Sequence, residues 1–201
     1  MELWHPAQYK AIFIHIHKCG GTSVKKCLEG IDKVLICDNY TPDSNKNIED
    51  VVRMSIWRTA FKFAIVRHPY SRVISLHEMI VRDWKPITID EVIDISLMPS
   101  PDPKVRTVER VIKRHTLPMS DSHYALVDGT GEIVVDFIAK LENINADWQV
   151  IKNKIGIDKD LPHANVTKNI SADSHSVLSN RNKERLAEYY KKDFEIFGYK
   201  K

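Results

Sequence analysis

The chain has 201 residues, of which 43% are hydrophobic and 28% are charged. This length suits a single domain with a sizeable core, and the hydrophobic fraction excludes a disordered or low-complexity protein. The formal net charge of +3 is too small by itself to indicate a nucleic-acid-binding protein.

In chain order, the predicted elements alternate between strands and helices. The first half is predicted to contain a strand over 10–16, a helix over 22–28, a strand over 34–37, a surface loop over 39–47, a helix over 48–58, a strand over 61–66 and a helix over 71–81. The second half is predicted to contain a break at 99–103, a basic helix over 105–115, a hairpin with strands 124–127 and 133–139, a helix over 145–155, an irregular segment over 161–176 and a helix over 182–192. The alternation predicts an α/β fold, with a single domain over 1–201 and a central, mostly parallel sheet flanked by helices.

The segment between the first strand and the first helix is rich in small and polar residues. It consists of Lys18, Cys19, Gly20, Gly21, Thr22 and Ser23. Glycines let backbone N–H groups approach an anion closely, and a helix N-terminus attracts negative charge. The segment therefore predicts a phosphate site, although its lysine precedes the glycines, unlike the lysine of a nucleoside-triphosphate loop. The alternative is a glycine turn in which Thr22 or Ser23 caps the helix.

A second candidate anion site follows the third predicted strand. Arg67 ends that strand, and Ser75 lies in the helix after it. An arginine can hold a phosphate through two parallel hydrogen bonds, and a serine hydroxyl can add a third. The alternative is an ion pair for Arg67 and a solvated Ser75. Both candidate loops follow strands, and ligands of parallel sheets bind at the carboxyl ends of the strands.

The two loops together resemble a known family. A strand followed by "HKCGGTS", and a strand followed by "VRHPYSRVIS" and a helix, are similar to the sulfotransferases that use 3′-phosphoadenosine 5′-phosphosulfate (PAPS). The later segments "AKLENINADW", "LPHANVT" and "YYKKDFEIFGYK" follow in the order of that family, so the resemblance covers nearly the whole chain. It is strongest to the carbohydrate sulfotransferase branch and its short bacterial-type members.

The resemblance implies a P-loop-like nucleotide-binding fold and a PAPS-dependent enzyme without a metal. The first loop, from Lys18 through Cys19 to Ser23, would bind the 5′-phosphosulfate, and Arg67 and Ser75 would bind the 3′-phosphate. Sulfuryl transfer would proceed by in-line displacement to an acceptor hydroxyl, on a carbohydrate or glycoconjugate or on a small molecule. Lys18 would neutralise the charge that develops on the bridging oxygen, and 3′-phosphoadenosine 5′-phosphate (PAP) would be the product.

The reaction also needs a base that accepts the acceptor's proton. His115 is the first choice, because it follows a basic helix and precedes a Leu-Pro pair where relatives have a histidine. His17 is the second, because it adjoins the donor loop. Asp38 and Asp43 are acidic alternatives, and His15 is expected to be structural. A packed or exposed side chain without a chemical role is the alternative for each of them.

Two other functions remain open from the sequence, namely a nucleotide kinase or NTPase with an unusual phosphate loop and a nucleotide-binding relative without catalytic activity. Three cysteines with no zinc-site spacing favour a reducing compartment. The chain contains neither a long apolar run nor a signal-peptide pattern, so no membrane span and a cytoplasmic location are expected. No nucleic-acid partner is expected, and the sequence does not indicate an oligomeric state.

Overall fold

The computed structural model of the chain describes residues 9–38, 48–98, 107–162 and 172–201. The chain forms two compact units, of which the first contains Met1–Val66 and Ser120–Asn165 and the second contains Arg67–Met119 and Val166–Lys201. The single domain over 1–201 stays a prediction. Within the described ranges, no helix combines the length and the apolarity that crossing a membrane requires.

The described elements include four β-strands and nine α-helices. The strands are β1 (Ala11–Ile14), β2 (Val34–Cys37), β3 (Phe61–Val66) and β4 (Phe137–Lys140). The helices are α1 (Gly21–Leu28), α2 (Ile48–Val52), α3 (Ile56–Thr59), α4 (Pro69–Asp83), α5 (Ile89–Leu97), α6 (Val108–Thr116), α7 (Ile144–Ile155), α8 (Asn180–Tyr189) and α9 (Lys191–Ile196). Short 3₁₀ helices lie at Ser122–Tyr124, Leu141–Asn143 and Ala172–Val177.

The first unit contains a four-stranded sheet in the order β2-β1-β3-β4, and all three strand pairs are parallel. Every residue of β1 is buried, as expected for a parallel strand that is covered on both faces. Ile14, the last residue of β1, lies opposite Cys37 of β2 and Ala64 of β3. The predicted α/β fold with a parallel sheet is therefore confirmed, and the carboxyl ends of β1 and β2 meet at one edge.

Helices α1 and α7 of the first unit bury the residues that their apolar spacing indicates. Val24, Cys27 and Leu28 of α1 are buried, and so are Trp148 and Ile151 of α7. The Trp148 indole Nε1 donates a hydrogen bond of 2.9 Å to the carbonyl oxygen of Lys159 just beyond the helix. A buried indole needs such a partner, because an unpaired N–H would cost desolvation energy.

The second unit is helical. Helix α4 begins with Pro69, which suits the first helical position because no N–H is needed there, and the His68 imidazole accepts a hydrogen bond from the Tyr70 N–H. The core of this unit is built from buried residues of α4, α5, α6, α8 and α9 and of the segment before α8: Tyr70, Val73, Leu76, Ile80, Val92, Ile93, Ile112, Leu178, Leu186, Tyr190 and Phe194.

The predicted hairpin over 124–127 and 133–139 is confirmed only next to its turn, where the Val134 N–H donates to the Leu126 carbonyl oxygen and the Asp128 N–H to the Glu132 carbonyl oxygen, both at 2.9 Å. Only one antiparallel bridge, between Val127 and Ile133, is present there, and 137–140 instead forms β4, which pairs in parallel with β3. The reason is a long-range contact before β4, where the Asp136 carboxylate accepts a hydrogen bond from the Lys62 N–H and pairs with the Lys62 ammonium, both at 2.7 Å. This contact aligns the chain with β3 rather than with the preceding segment.

The helices differ from the prediction in three further ways. The predicted helix over 48–58 is divided into α2 and α3, and the predicted helix over 182–192 begins at Asn180 and is divided at Tyr190 into α8 and α9. Helix α5 was not predicted, although Thr88 and Glu91 form a capping box at its start. The predicted loop over 39–47, the break at 99–103, residues 105–106 and residues 163–171 lie outside the described residues, as does Asp43.

Candidate active site

The loop between β1 and α1 has a backbone that reverses sharply before the helix begins. Lys18 has a φ of 65° and Gly20 a φ of 81°, and both lie in the left-handed region. A residue other than glycine is uncommon there, and such outliers concentrate at ligand-binding sites. Gly20 is the N-cap residue of α1, so Thr22 and Ser23 lie in the first turn and do not cap the helix. The predicted alternative, in which either hydroxyl is the N-cap, is wrong.

Gly20 and Gly21 each have a different steric reason for being glycine. Gly20 has a positive φ, and a Cβ there would lie 2.8 Å from Cδ1 of Leu141. Gly21 has no positive φ, but a Cβ there would overlap the imidazole ring of His15 at Cδ2 and Nε2. The first turn of α1 therefore packs directly against a histidine ring, and only glycine leaves room for it.

Three basic side chains around this loop lie close to one buried carboxylate at the end of β2. Asp38 directly follows β2, and its side chain is 0% exposed. Its Oδ2 accepts a hydrogen bond from His15 Nδ1 and another from Lys25 Nζ, both at 2.6 Å. His17 Nε2 lies 4.0 Å from the other carboxylate oxygen, Oδ1. We call these four residues the Asp38 network.

The network keeps the Asp38 carboxylate ionised. Burial alone would raise the pKa of Asp38, but hydrogen bonds from His15 and Lys25 and the charge of His17 outweigh it, so the pKa lies well below its usual range. The neighbouring Cys37 shows the opposite effect, because burial and then the Asp38 charge raise the pKa of its thiol to about 12. Cys19 in the loop is also buried and lies 3.6 Å from the His17 carbonyl oxygen.

Described residues of the first unit line a small cavity and a wider one. One, of about 10 Å³, lies at the carboxyl ends of β1 and β2 and is lined by Ile14, His15, His17, Cys37, Ile48, His123 and Tyr124. It has room for about one water molecule and is too small for a sugar. A wider surface cavity of about 470 Å³ is lined by residues 30–33 and 157–159, and none of the predicted site residues belongs to it. Because none of those residues lines the wider cavity, its larger volume does not move the candidate site away from the loop between β1 and α1.

The remaining predicted site residues belong to the second unit. Arg67 directly follows β3 and is 3% exposed, and Ser75 is half-buried in α4. His115 lies near the end of α6, and its Nδ1 is 2.7 Å from the Val111 carbonyl oxygen. Because Nδ1 must carry the proton in that hydrogen bond, Nε2 of the neutral ring has a lone pair that can accept a proton. The roles of Arg67, Ser75 and His115 stay predictions.

Sequence reasoning missed the shared role of the Asp38 network. Asp38 was only an alternative base and His15 a structural residue. The available signal was that Asp38 follows a strand of the same parallel sheet as β1, which places both residues at one edge.

The basic "VRHPYSR" segment also contains Arg72, which is 1% exposed and donates to the carbonyl oxygens of Leu117 at 2.7 Å and His115 at 2.9 Å. Arg72 therefore holds the end of α6.

Comparison with known proteins gives one result that covers nearly the whole chain. A family model described as the sulfotransferase family matches residues 2–200, a range that includes both candidate loops and the Asp38 network. A search of the curated proteins returned no match.

Proposed function

The chain belongs to the sulfotransferase family, and we propose that it transfers the sulfuryl group of PAPS to a hydroxyl of a carbohydrate or glycoconjugate. Family membership gives the reaction class, sulfuryl transfer to a hydroxyl-bearing acceptor, and a P-loop-like fold. The observation that carries the proposal is the loop from Lys18 to Ser23, whose left-handed backbone leads directly into the N-terminus of α1 at the carboxyl edge of a parallel sheet.

The first loop would bind the 5′-phosphosulfate. Backbone N–H groups at a helix N-terminus point along the axis toward a bound anion, and the helix dipole favours negative charge there. Thr22 and Ser23 lie in that first turn and add two hydroxyl donors. The Lys18 ammonium would neutralise the bridging oxygen as it becomes a phosphate oxygen of PAP. A donor that acts mainly on developing charge contributes to kcat more than to binding.

Arg67 and Ser75 would bind the 3′-phosphate. Arg67 is nearly buried, and a guanidinium stays protonated in such an environment. It can hold a phosphate through two parallel charge-assisted hydrogen bonds, which distinguishes a 3′-phosphorylated nucleotide from AMP or ATP. Ser75 can donate one more hydrogen bond.

His115 is the proposed general base, with His17 as the second candidate. The acceptor hydroxyl would lose its proton to Nε2 of the base while its oxygen attacks sulfur. The bond between sulfur and the bridging oxygen breaks as the new sulfur–oxygen bond forms, so the products are a sulfate ester and PAP. His115→Ala is expected to remove the acidic limb of the pH profile of kcat/KM, because that limb reports protonation of the base. If His115→Ala keeps the acidic limb, His17 becomes the proposed general base instead.

Ligand-induced thermal stabilisation tests the donor. At a hundredfold excess over Kd, a ligand of the native state adds about 2.7 kcal/mol, which corresponds to roughly 5–10 °C in Tm for a chain of this size. We expect such a shift with PAP, little shift with AMP, ADP or ATP, and loss of the PAP shift in Arg67→Ala. Arg82→Ala, at an exposed arginine of α4, the helix that follows Arg67, is the matched control and should keep the shift. Equal shifts with all four nucleotides would contradict the proposal and favour the kinase or NTPase alternative.

Transfer from radiolabelled PAPS to a panel of sulfate-free glycans, monosaccharides and phenols tests the acceptor. Label on a sugar supports the proposal. Label only on a phenol contradicts the carbohydrate acceptor while leaving the reaction class intact. PAP binding without transfer to any acceptor favours the relative without catalytic activity.

A cytoplasmic location is also part of the proposal. Cys19, Cys27 and Cys37 are all reduced thiols in the structure, which suits a reducing compartment.

A further inference from the structure

The buried carboxylate of Asp38 is bound from two different elements. His15, just after β1, reaches it through Nδ1, and Lys25, on the second turn of α1, reaches it through Nζ. Both bonds are 2.6 Å long and end on the same oxygen, Oδ2. Because Asp38 itself follows β2, one carboxylate connects β1, α1 and β2 at the edge where the candidate donor loop lies.

The His15 ring transmits this connection to the first turn of α1. Nδ1 of the ring forms the hydrogen bond to Asp38. The opposite edge of the ring, Cδ2 and Nε2, lies against Gly21, the first residue of the helix. The side chain is only 12% exposed, so the ring is enclosed between the carboxylate and the helix backbone. Lys25 holds the same helix one turn later. Asp38 therefore restrains α1 at two points.

The same side chains also place three potential metal ligands, from His15, His17 and Asp38, within 4.8 Å of one another. The charge arrangement argues against a metal ion there. Lys25 already supplies a positive charge at 2.6 Å from the carboxylate, and it would repel a divalent cation that bound to the same carboxylate. The cluster is therefore better described as an organic ion-pair network that positions a backbone.

We propose that Asp38 is a positioning residue for the donor: through His15 and Lys25 it holds the first turn of α1 in the orientation that binds the 5′-phosphosulfate. The inference rests on the proposed function, because that turn is the proposed phosphosulfate site. Asp38 itself does not contact the donor. Its effect comes from preorganisation, since N–H groups that are held in place before the ligand arrives need no ordering when it binds.

Asp38→Asn is the most informative single change. It keeps the shape of the side chain but replaces the acceptor charge by an amide, which cannot pair with the Lys25 ammonium and accept from His15 with comparable strength. We expect the Kd of PAP, measured calorimetrically well below Tm, to rise at least about tenfold, a change of about 1.4 kcal/mol. The kcat for any acceptor should fall as well.

Asp136→Asn is the matched control. Asp136 belongs to the same unit, forms a 2.7 Å ion pair with Lys62 and precedes β4, so the substitution removes a carboxylate ion pair outside the donor loop. It should lower Tm and leave the Kd of PAP within about twofold of wild type. A purely structural role of Asp38 would give the same pattern, with a lower Tm and an unchanged Kd, and that result would overturn the inference.

Two His15 variants give a graded test. His15→Asn keeps an N–H donor close to the position of Nδ1, whereas His15→Leu keeps bulk and loses the donor. The Kd of PAP should increase less for His15→Asn than for His15→Leu, and combining either with Asp38→Asn should add little to the effect of Asp38→Asn alone, because the residues act through one contact. Fully additive effects would contradict the coupling and overturn the inference.

A measurement without donor separates the inference from the proposed function. Nitrogen NMR of the wild-type imidazoles should show a protonated His15 Nδ1 whose signal changes in Asp38→Asn and not in Asp136→Asn. Absence of that proton overturns the inference whatever the protein binds. If the proton is present but wild type binds no PAP, the proposed function and its positioning role both fail. If wild type binds PAP and Asp38→Asn binds it equally well, only the inference fails.

Discussion

Gly21→Ala should destabilise the protein by a clash with His15, and the clash should depend on that ring being present. The added methyl group would overlap Cδ2 and Nε2 of the imidazole. The ring cannot move away cheaply, because its side chain is 12% exposed and its Nδ1 is bonded to a carboxylate at 2.6 Å. Either that hydrogen bond breaks or the start of α1 shifts.

The magnitude follows from these two costs. Losing a hydrogen bond to a charged group costs about 1.5–3 kcal/mol, and overpacking a filled site costs about 1–3 kcal/mol. The better helix propensity of alanine returns up to about 1 kcal/mol. We therefore expect a loss of about 2–4 kcal/mol in the free energy of unfolding, or roughly 5–15 °C in Tm. Gly129→Ala is the control, because a Cβ there meets nothing within 4 Å.

A double-mutant cycle makes the test specific. His15→Ala removes the ring, so adding Gly21→Ala in that background should cost less than about 0.5 kcal/mol. Denaturant unfolding of the four proteins, monitored by circular dichroism, gives the coupling energy. The reasoning is refuted if Gly21→Ala costs the same in both backgrounds, or if it is as neutral as Gly129→Ala in the wild-type background.

Three further predictions concern Lys18, Asp38 and the cysteines. Lys18→Ala should lower kcat by about 10²–10³-fold with a Tm within about 2 °C of wild type; near-normal transfer from radiolabelled PAPS would remove Lys18 from the mechanism. Because the pKa of Asp38 is depressed in the folded protein, its carboxylate stabilises the fold above the ordinary carboxylate pKa of about 4, and this contribution is lost as the pH falls below that value. Urea unfolding between pH 7 and pH 3 should therefore show that the free energy of unfolding declines less steeply with falling pH for Asp38→Asn than for wild type. The thiols of Cys27 and Cys37 have raised pKa values and all three cysteines are buried, so a thiol reagent at pH 8 should label none of them before unfolding; rapid labelling of any one would show that its site opens in the native protein.

Elements defined by local pattern were predictable, and elements defined by distant partners were not. The apolar run over Phe61–Val66 is a strand at its predicted bounds, because a buried parallel strand needs little beyond β-branched and aromatic residues. The pairing of β4 was misassigned because its partner β3 lies far away in sequence and its alignment depends on the contact between Asp136 and Lys62. Helix α5 is short, and its readable signal was the capping box of Thr88 and Glu91.

The candidate site shows the same division. Gly20 and Gly21 indicated the candidate donor loop in the sequence, because two glycines between an apolar strand and a helix allow a sharp turn and a close approach of the backbone to a ligand. The proposed role of Asp38 depends on β2 lying beside β1 and on Lys25 of α1 contacting its carboxylate, and both are tertiary features. The requirement for glycine at position 21 is also a tertiary effect. The backbone conformation there does not require glycine, but the His15 ring leaves no room for a Cβ.

The backbone of Lys18 has a consequence for how this protein can be improved by selection. At a φ of 65° an L-residue costs about 1–2 kcal/mol, and glycine would avoid that cost. A library screened for heat tolerance alone would therefore enrich glycine at position 18 and discard the ammonium group on which the proposed chemistry depends. Stability and turnover compete at this one residue, so thermostabilised variants need to be selected with the lysine held constant.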